Sequence, residues 1–126
     1  MRANAIDKSK LAKTGQEFRD LAASDADWIV RSAEDLMQFR AAGDNAHSRV
    51  AERDYQAFVD GLEFRNGGVV TGSYRPLMAS LTISEIFDVF ESFGMDRGLA
   101  LETQEAKCVG STCEFSFWSF CSSLCS

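Results

Sequence analysis

The sequence predicts a mainly α fold: a small bundle of about four helices, a short hairpin at 64–74 and a flexible Cys-rich C-terminal tail. Three observations predict it. Apolar residues recur at helical spacing, most clearly at Trp28, Ile29, Ala33, Leu36 and Met37. Helix-start signals stand before such stripes, as with Thr82 and, three residues on, Glu85. Composition changes abruptly at residue 108. Residues 1–107 hold all 13 basic side chains, 18 of the 19 acidic ones and no cysteine, whereas 108–126 hold four cysteines, six serines and one threonine. The chain divides accordingly into an acidic helical segment, 1–107, and a Ser/Thr/Cys-rich segment, 108–126.

Residues 1–13 read as a polar arm. Thr14 and Glu17 have capping-box spacing before the short stripe Phe18, Leu21, Ala22. Ser24 is the natural cap of the next helix, with Asp25 and Asp27 in its positive first turn and Gly43 as its stop. A third helix is expected from about Ala46 to Leu62, burying Val50, Ala51, Tyr55, Phe58, Val59 and Leu62. Asn66-Gly67-Gly68 signals a turn, and Val69-Val70-Thr71 prefers extended backbone, hence the hairpin. The last helix carries the Thr82–Glu85 box, a Leu81–Ile86 staple, a broad apolar side of Ile83, Ile86, Phe87, Phe90 and Phe93, and an end at Gly94. Met95 to Lys107 reads as a linker or loose helix. The tail stretch CEFSFWSFC is strand-like by propensity, yet its apolar positions fit neither period.

A net charge of −6 with scattered basic residues excludes a nucleic-acid surface. No apolar run approaches the ~20 residues of a membrane-spanning helix. The opening MRANAIDKSKLAKTGQ lacks the apolar stretch of a secretory signal, so synthesis in the cytoplasm is expected. His47 is the only histidine and reads as an exposed residue near a helix start. Neither an enzyme active site nor a cofactor or resident metal is expected.

The tail carries the reactive chemistry. A serine or threonine hydroxyl, once eliminated, leaves an electrophilic dehydroamino acid, and a nearby cysteine thiolate adds to it as a thioether. Short loops favour such closure. Cys113 follows Ser111 and Thr112; Cys121 follows Ser116 and Ser119; Cys125 follows Ser122 and Ser123; Cys108 has hydroxyls downstream. An acidic helical leader before a short Ser/Thr/Cys-rich block resembles the precursor of a lanthipeptide, a ribosomally made and post-translationally modified bacterial peptide. Ser119-x-x-Ser122-x-x-Cys125 is also similar to the spacing of carbacyclic rings in one class of that family.

The resemblance implies a precursor whose tail is dehydrated, bridged, cut from its leader and exported, often as an antimicrobial. The thioether donors would be Cys108, Cys113, Cys121 and Cys125. The dehydration sites would be Ser111, Thr112, Ser116, Ser119, Ser122, Ser123 and Ser126. Cleavage would fall at Glu105, Ala106 or Lys107. The implied partners are a dehydratase or cyclase and a leader protease or exporter, with the mature peptide secreted and acting at a membrane surface. Ile86, Phe87, Phe90 and Phe93 read first as core, and alternatively as a ridge that docks the modifying enzyme.

Two other readings use the same residues. In one the chain is a small helical protein-interaction module with structural cysteines. In the other the two cysteine pairs, Cys108-x4-Cys113 and Cys121-x3-Cys125, form a metal-binding or redox-responsive set.

Overall fold

The computed structural model describes residues 6–125. In chain order these form α1 (Gly15–Ala23), α2 (Ala33–Ala42), α3 (Ala46–Arg49), α4 (Glu52–Asp60), β1 (Glu63–Arg65), β2 (Gly68–Ser73), α5 (Ile83–Ser92), α6 (Arg97–Glu102), β3 (Gln104–Val109) and β4 (Thr112–Cys121). The strands build one antiparallel sheet in the order β1-β2-β4-β3. The expectation of a mainly α bundle with a flexible tail is therefore corrected to a mixed α and β fold. The expected linker supplies α6 and β3, and the expected tail supplies β4. The polar arm at 1–13 lies partly outside the described residues.

The punctuation signals hold where local chemistry decides. Thr82 accepts the Glu85 N–H at 3.2 Å while Glu85 accepts the Thr82 N–H at 3.0 Å. Gly43 and Gly94 end their helices at positive φ. The hairpin stands as β1 and β2, joined by Asn66 and Gly67, both left-handed at φ 56° and 90°. Any side chain at Gly67 would place its Cβ 2.2 Å from the Ala22 carbonyl oxygen.

Two helices differ from expectation because arginines take carbonyls that a helix would use. Ser24 ends α1 instead of starting a helix, and α2 begins only at Ala33, capped by Ser32. Between them Arg31 Nη1 donates to the carbonyls of Ala22 and Gly67, each at 2.7 Å, and Nη2 to those of Ser24 and Ala26. One cation thus satisfies the negative end of α1 and locks the irregular segment onto the hairpin turn. The helix expected over 46–62 breaks at Val50 and Ala51 into α3 and α4. Here Arg40 Nη1 donates to the carbonyls of His47 and Val50, at 3.0 and 2.6 Å.

The core is aromatic, with Phe18, Tyr55, Phe58, Phe90, Phe93 and Phe120 all fully buried. Phe120, from the expected tail, packs edge-on against Phe90 with ring centroids 4.9 Å apart. Phe120→Ala should therefore cost about 3–5 kcal/mol, the range for a buried Phe cavity. Urea unfolding of the disulfide-intact protein measures it; a cost near zero would mean that the tail stands outside the fold.

His47 is buried, contrary to expectation. Its Nδ1 lies 2.8 Å from the Tyr55 hydroxyl, which donates to the Leu36 carbonyl at 3.0 Å. The carbonyl can only accept, so Tyr55 spends its proton there and His47 Nδ1 must carry its own. Nε2 is then a buried acceptor without a hydrogen-bond partner among the described residues. Burial, then the Arg40 charge, pushes the His47 pKa down to about 4. Below its ordinary value of 6.5 the unfolded chain gains a proton that the folded chain refuses until about pH 4. Stability from this group is thus lost as pH falls through that window, by about 3 kcal/mol in full. Glu91, pushed up by burial, acts in the opposite sense, its folded form taking the proton first. Unfolding at about pH 7.5 and about pH 4.5 should show a smaller acid loss for His47→Gln than for the parent. Equal losses would exclude His47 as the source.

Candidate functional site

The C-terminal hairpin concentrates the unusual chemistry. Val109 pairs with Thr112 across a tight Gly110-Ser111 turn, and Cys108 pairs with Cys113. The register then jumps: Ala106 faces Phe115 while Gln104 faces Phe120. Two steps on β3 oppose five on β4, so residues 116–119 leave the β3 ladder as a bulge, while Ser119 stays paired with Ser73 on β2. This folding-back brings Cys121 to Cys113, and the chain end returns Cys125 to Cys108. Both pairs are disulfide-bonded with Cα atoms 5.7 Å apart. The Sγ atoms of Cys108, Cys121 and Cys125 lie within 4.8 Å of one another. Arg65 Nη2 stands 3.3 Å from the Cys108 sulfur.

Glu105 holds the bulge. It is left-handed at φ 60°, as is Trp118 at 63°. One carboxylate oxygen accepts the Trp118 N–H at 3.0 Å and the other accepts the Tyr74 hydroxyl. Burial, and then the Glu105 bond and charge, push the Tyr74 phenol above its ordinary range, so it stays a donor. The Tyr74 ring meets Trp118 edge-on at 6.4 Å. With its backbone held, the bulge presents its aromatics to solvent: Phe115 is 70%, Phe117 68% and Trp118 39% exposed. Phe115 and Phe117 pack edge-to-face at 4.8 Å. The apolar surface continues from Trp118 into a groove of about 220 Å³ lined also by Tyr74, Met78, Ile83, Ile86 and Phe87. Ile83, expected in the core stripe of α5, is 75% exposed at its edge.

No family model, curated protein or solved structure matches this chain.

A second cavity, about 380 Å³, lies where α3 and α5 approach and is lined by His47, Asp44, Arg49, Asp88 and Glu91 among others. On its rim Arg49 pairs with Glu85 at 2.6 Å and Asp88 with Arg97 at 3.0 Å.

Of the expected docking ridge, Phe90 and Phe93 are core residues, Ile86 is buried beneath the groove, and Phe87 is half-buried at its wall. Arg97 covers the Phe87 ring at 5.7 Å. The expected cleavage residues Glu105, Ala106 and Lys107 lie within β3, where Glu105 organises the bulge. The expected boundary at 107/108 falls inside the same strand.

The expected dehydration sites divide. Ser111 and Thr112 are exposed at the turn, while Ser116 and Ser119 bond each other across the bulge at 3.2 Å. Ser122 is buried, donating to the Val69 carbonyl at 2.7 Å, and Ser123 donates to the Gly15 carbonyl at 2.7 Å. Ser126 lies outside the described residues. The four expected thioether donors Cys108, Cys113, Cys121 and Cys125 are in disulfides. Phe120 and Leu124, within the expected detachable strip, lie in the core. Sequence reasoning named Glu105 only for cleavage and Ile83 only for the apolar side of its helix; nothing in their spacing marks the one as the anchor of the bulge or the other as an exposed edge of the groove.

No helix of the described residues is long and apolar enough to cross a membrane. The native chain should have an intact mass about 4 Da below that of the reduced sequence, two hydrogens for each disulfide. Mass spectrometry before and after reduction reads it. Losses in steps of about 18 Da would restore dehydration of the tail.

Proposed function

We propose that this chain is a protein-interaction module with structural cysteines, and that its binding face is the Phe115–Trp118 bulge together with the groove beside it. The observation that supports this most is the exposure of three adjacent aromatic residues on a backbone held by Glu105 and closed by the Cys113–Cys121 disulfide. Rings exposed on a rigid support bind at low entropic cost, and aromatic anchors commonly dominate binding energy. Large contiguous apolar surface on a soluble chain marks an interaction site.

The occupant is a segment of another protein that offers a bulky apolar side chain to the groove and carries Lys or Arg on its flanks. The net charge of −6 favours such a partner and disfavours a second copy. Glu85, Glu102 and Glu114 add negative charge to the chain, against Arg75 and Lys107. The two disulfides suit oxidising surroundings, where such bonds persist.

Selection of a displayed random-peptide library on the oxidised protein should enrich sequences combining one bulky apolar residue with basic flanks. Phe117→Ser and Ile83→Ser should each weaken a selected peptide about 10-fold or more while leaving the unfolding midpoint nearly unchanged. No enrichment, or binding to zwitterionic vesicles in its place, would overturn the reading.

A further inference from the structure

The four sulfurs of the hairpin form more than two independent braces. Three of them, on Cys108, Cys121 and Cys125, stand within 4.8 Å of one another, although only Cys108 and Cys125 are bonded. The fourth, on Cys113, is bonded to Cys121, and Cys113 is the direct cross-strand partner of Cys108. A tetrahedral zinc site with Zn–S bonds of about 2.3 Å requires sulfurs about 3.8 Å apart. The bulge and the chain end therefore gather three sulfurs within 4.8 Å of one another and tie the fourth to Cys121, so that side-chain rotation after reduction is what must bring all four to the spacing such an ion needs.

We propose that the reduced protein binds one Zn²⁺ through the thiolates of Cys108, Cys113, Cys121 and Cys125, so that the hairpin is braced by disulfides in oxidising surroundings and by metal in reducing ones. This goes beyond the recognition surface, which the oxidised protein carries. The exchange balances. Two dithiol reductants give four electrons and four protons to the two disulfides, releasing four protein thiols and two oxidised dithiols. Zn²⁺ then displaces four protons and forms four Zn–S bonds, leaving a site of net charge −2. A two-electron thiol oxidant, acting twice, takes the four electrons back, restores both S–S bonds and releases the ion.

The surroundings suit the charged site. Arg65 Nη2 is already 3.3 Å from the Cys108 sulfur, placing a cation beside the thiolate. The Cys108 N–H donates to Thr71 Oγ1 at 3.1 Å, and that hydroxyl donates to the Phe120 carbonyl at 2.7 Å, so the β3 end of the set is anchored to the sheet. Cys121 is buried, while Cys113 is exposed and open to a reductant. Three of the ligands come from strands and the fourth from the chain end that Ser122 ties to Val69.

The full chain, reduced by a phosphine without oxygen and given Zn²⁺, should keep one zinc per chain through gel filtration. All four thiols should resist alkylation until a chelator is added. Co²⁺ in place of zinc should give the charge-transfer and ligand-field bands of tetrahedral thiolate coordination. Arg65→Gln should keep the stoichiometry and lose about 10-fold in affinity. Cys108→Ser and Cys113→Ser should each lose the tetrathiolate spectrum. Circular dichroism of the reduced chain, with and without zinc, covers the case of unfolding on reduction: recovery of the native spectrum with one equivalent supports the site. Failure to recover, less than one zinc per chain, or an unchanged cobalt spectrum in either serine variant would overturn it. Peptide binding by the oxidised protein is measured separately, so the two proposals fail independently.

Discussion

Phe120 is held from three directions. Its ring packs on Phe90 and Phe93, its backbone pairs with Gln104 on β3, and it pairs with Gly72 on β2. A Cβ at Gly72 would lie 2.4 Å from the Leu62 side chain and 3.2 Å from the Phe120 ring, so glycine there lets both rest in place. A residue so fixed sets the register of β4 at its inner end. The Gly110-Ser111 turn sets it at the outer end. The strand is too long for the space between these two points, and the excess must leave the β3 ladder. The excess is the bulge of residues 116–119. Its location is a consequence of where the core demands Phe120, and the exposure of Phe117 and Trp118 is a consequence of the bulge.

The same constraint explains the sulfur cluster. In an unbroken antiparallel ladder Cys113 and Cys121 would stand about 27 Å apart along the strand, eight residues at ~3.4 Å each. The bulge folds the strand back so that their Cα atoms are 5.7 Å apart. Each disulfide then contributes roughly 2–4 kcal/mol by restricting the unfolded chain. The braces hold the bulge, and the bulge is what makes the braces reachable. Sequence separations of 17 and 8 residues give no hint of this nested pairing.

What was legible in the sequence was local. The Thr82–Glu85 box, the Asn66-Gly67 turn and the stops at Gly43 and Gly94 act over three or four residues and stand as read. What was illegible was long-range. Arg31 and Arg40 break expected helices by reaching carbonyls up to 36 residues away. β4 shows no clean alternation because its period is interrupted by the bulge, so a strand that buries Phe120 reads as a structureless tail. The change of composition at residue 108 is real, but it marks a change of surface chemistry within one fold. Charged residues thin out there because disulfides, a buried serine and an aromatic face take their place.

For the proposed interaction face, the acidic balance of the chain would supply selectivity. A patch containing Phe115, Phe117 and Ile83 would drive self-association through apolar burial alone. Two copies meeting there would bring together two bodies of charge −6, and like charge opposes that encounter. The opposition acts over roughly the 8–10 Å Debye length at physiological salt, comparable to the dimensions of the patch. A basic partner of the kind proposed would meet the opposite field and be drawn to the same rings. In the proposed recognition, charge carried on the helices and apolar area carried on the hairpin would thus divide the work, one excluding wrong partners and the other holding the right one.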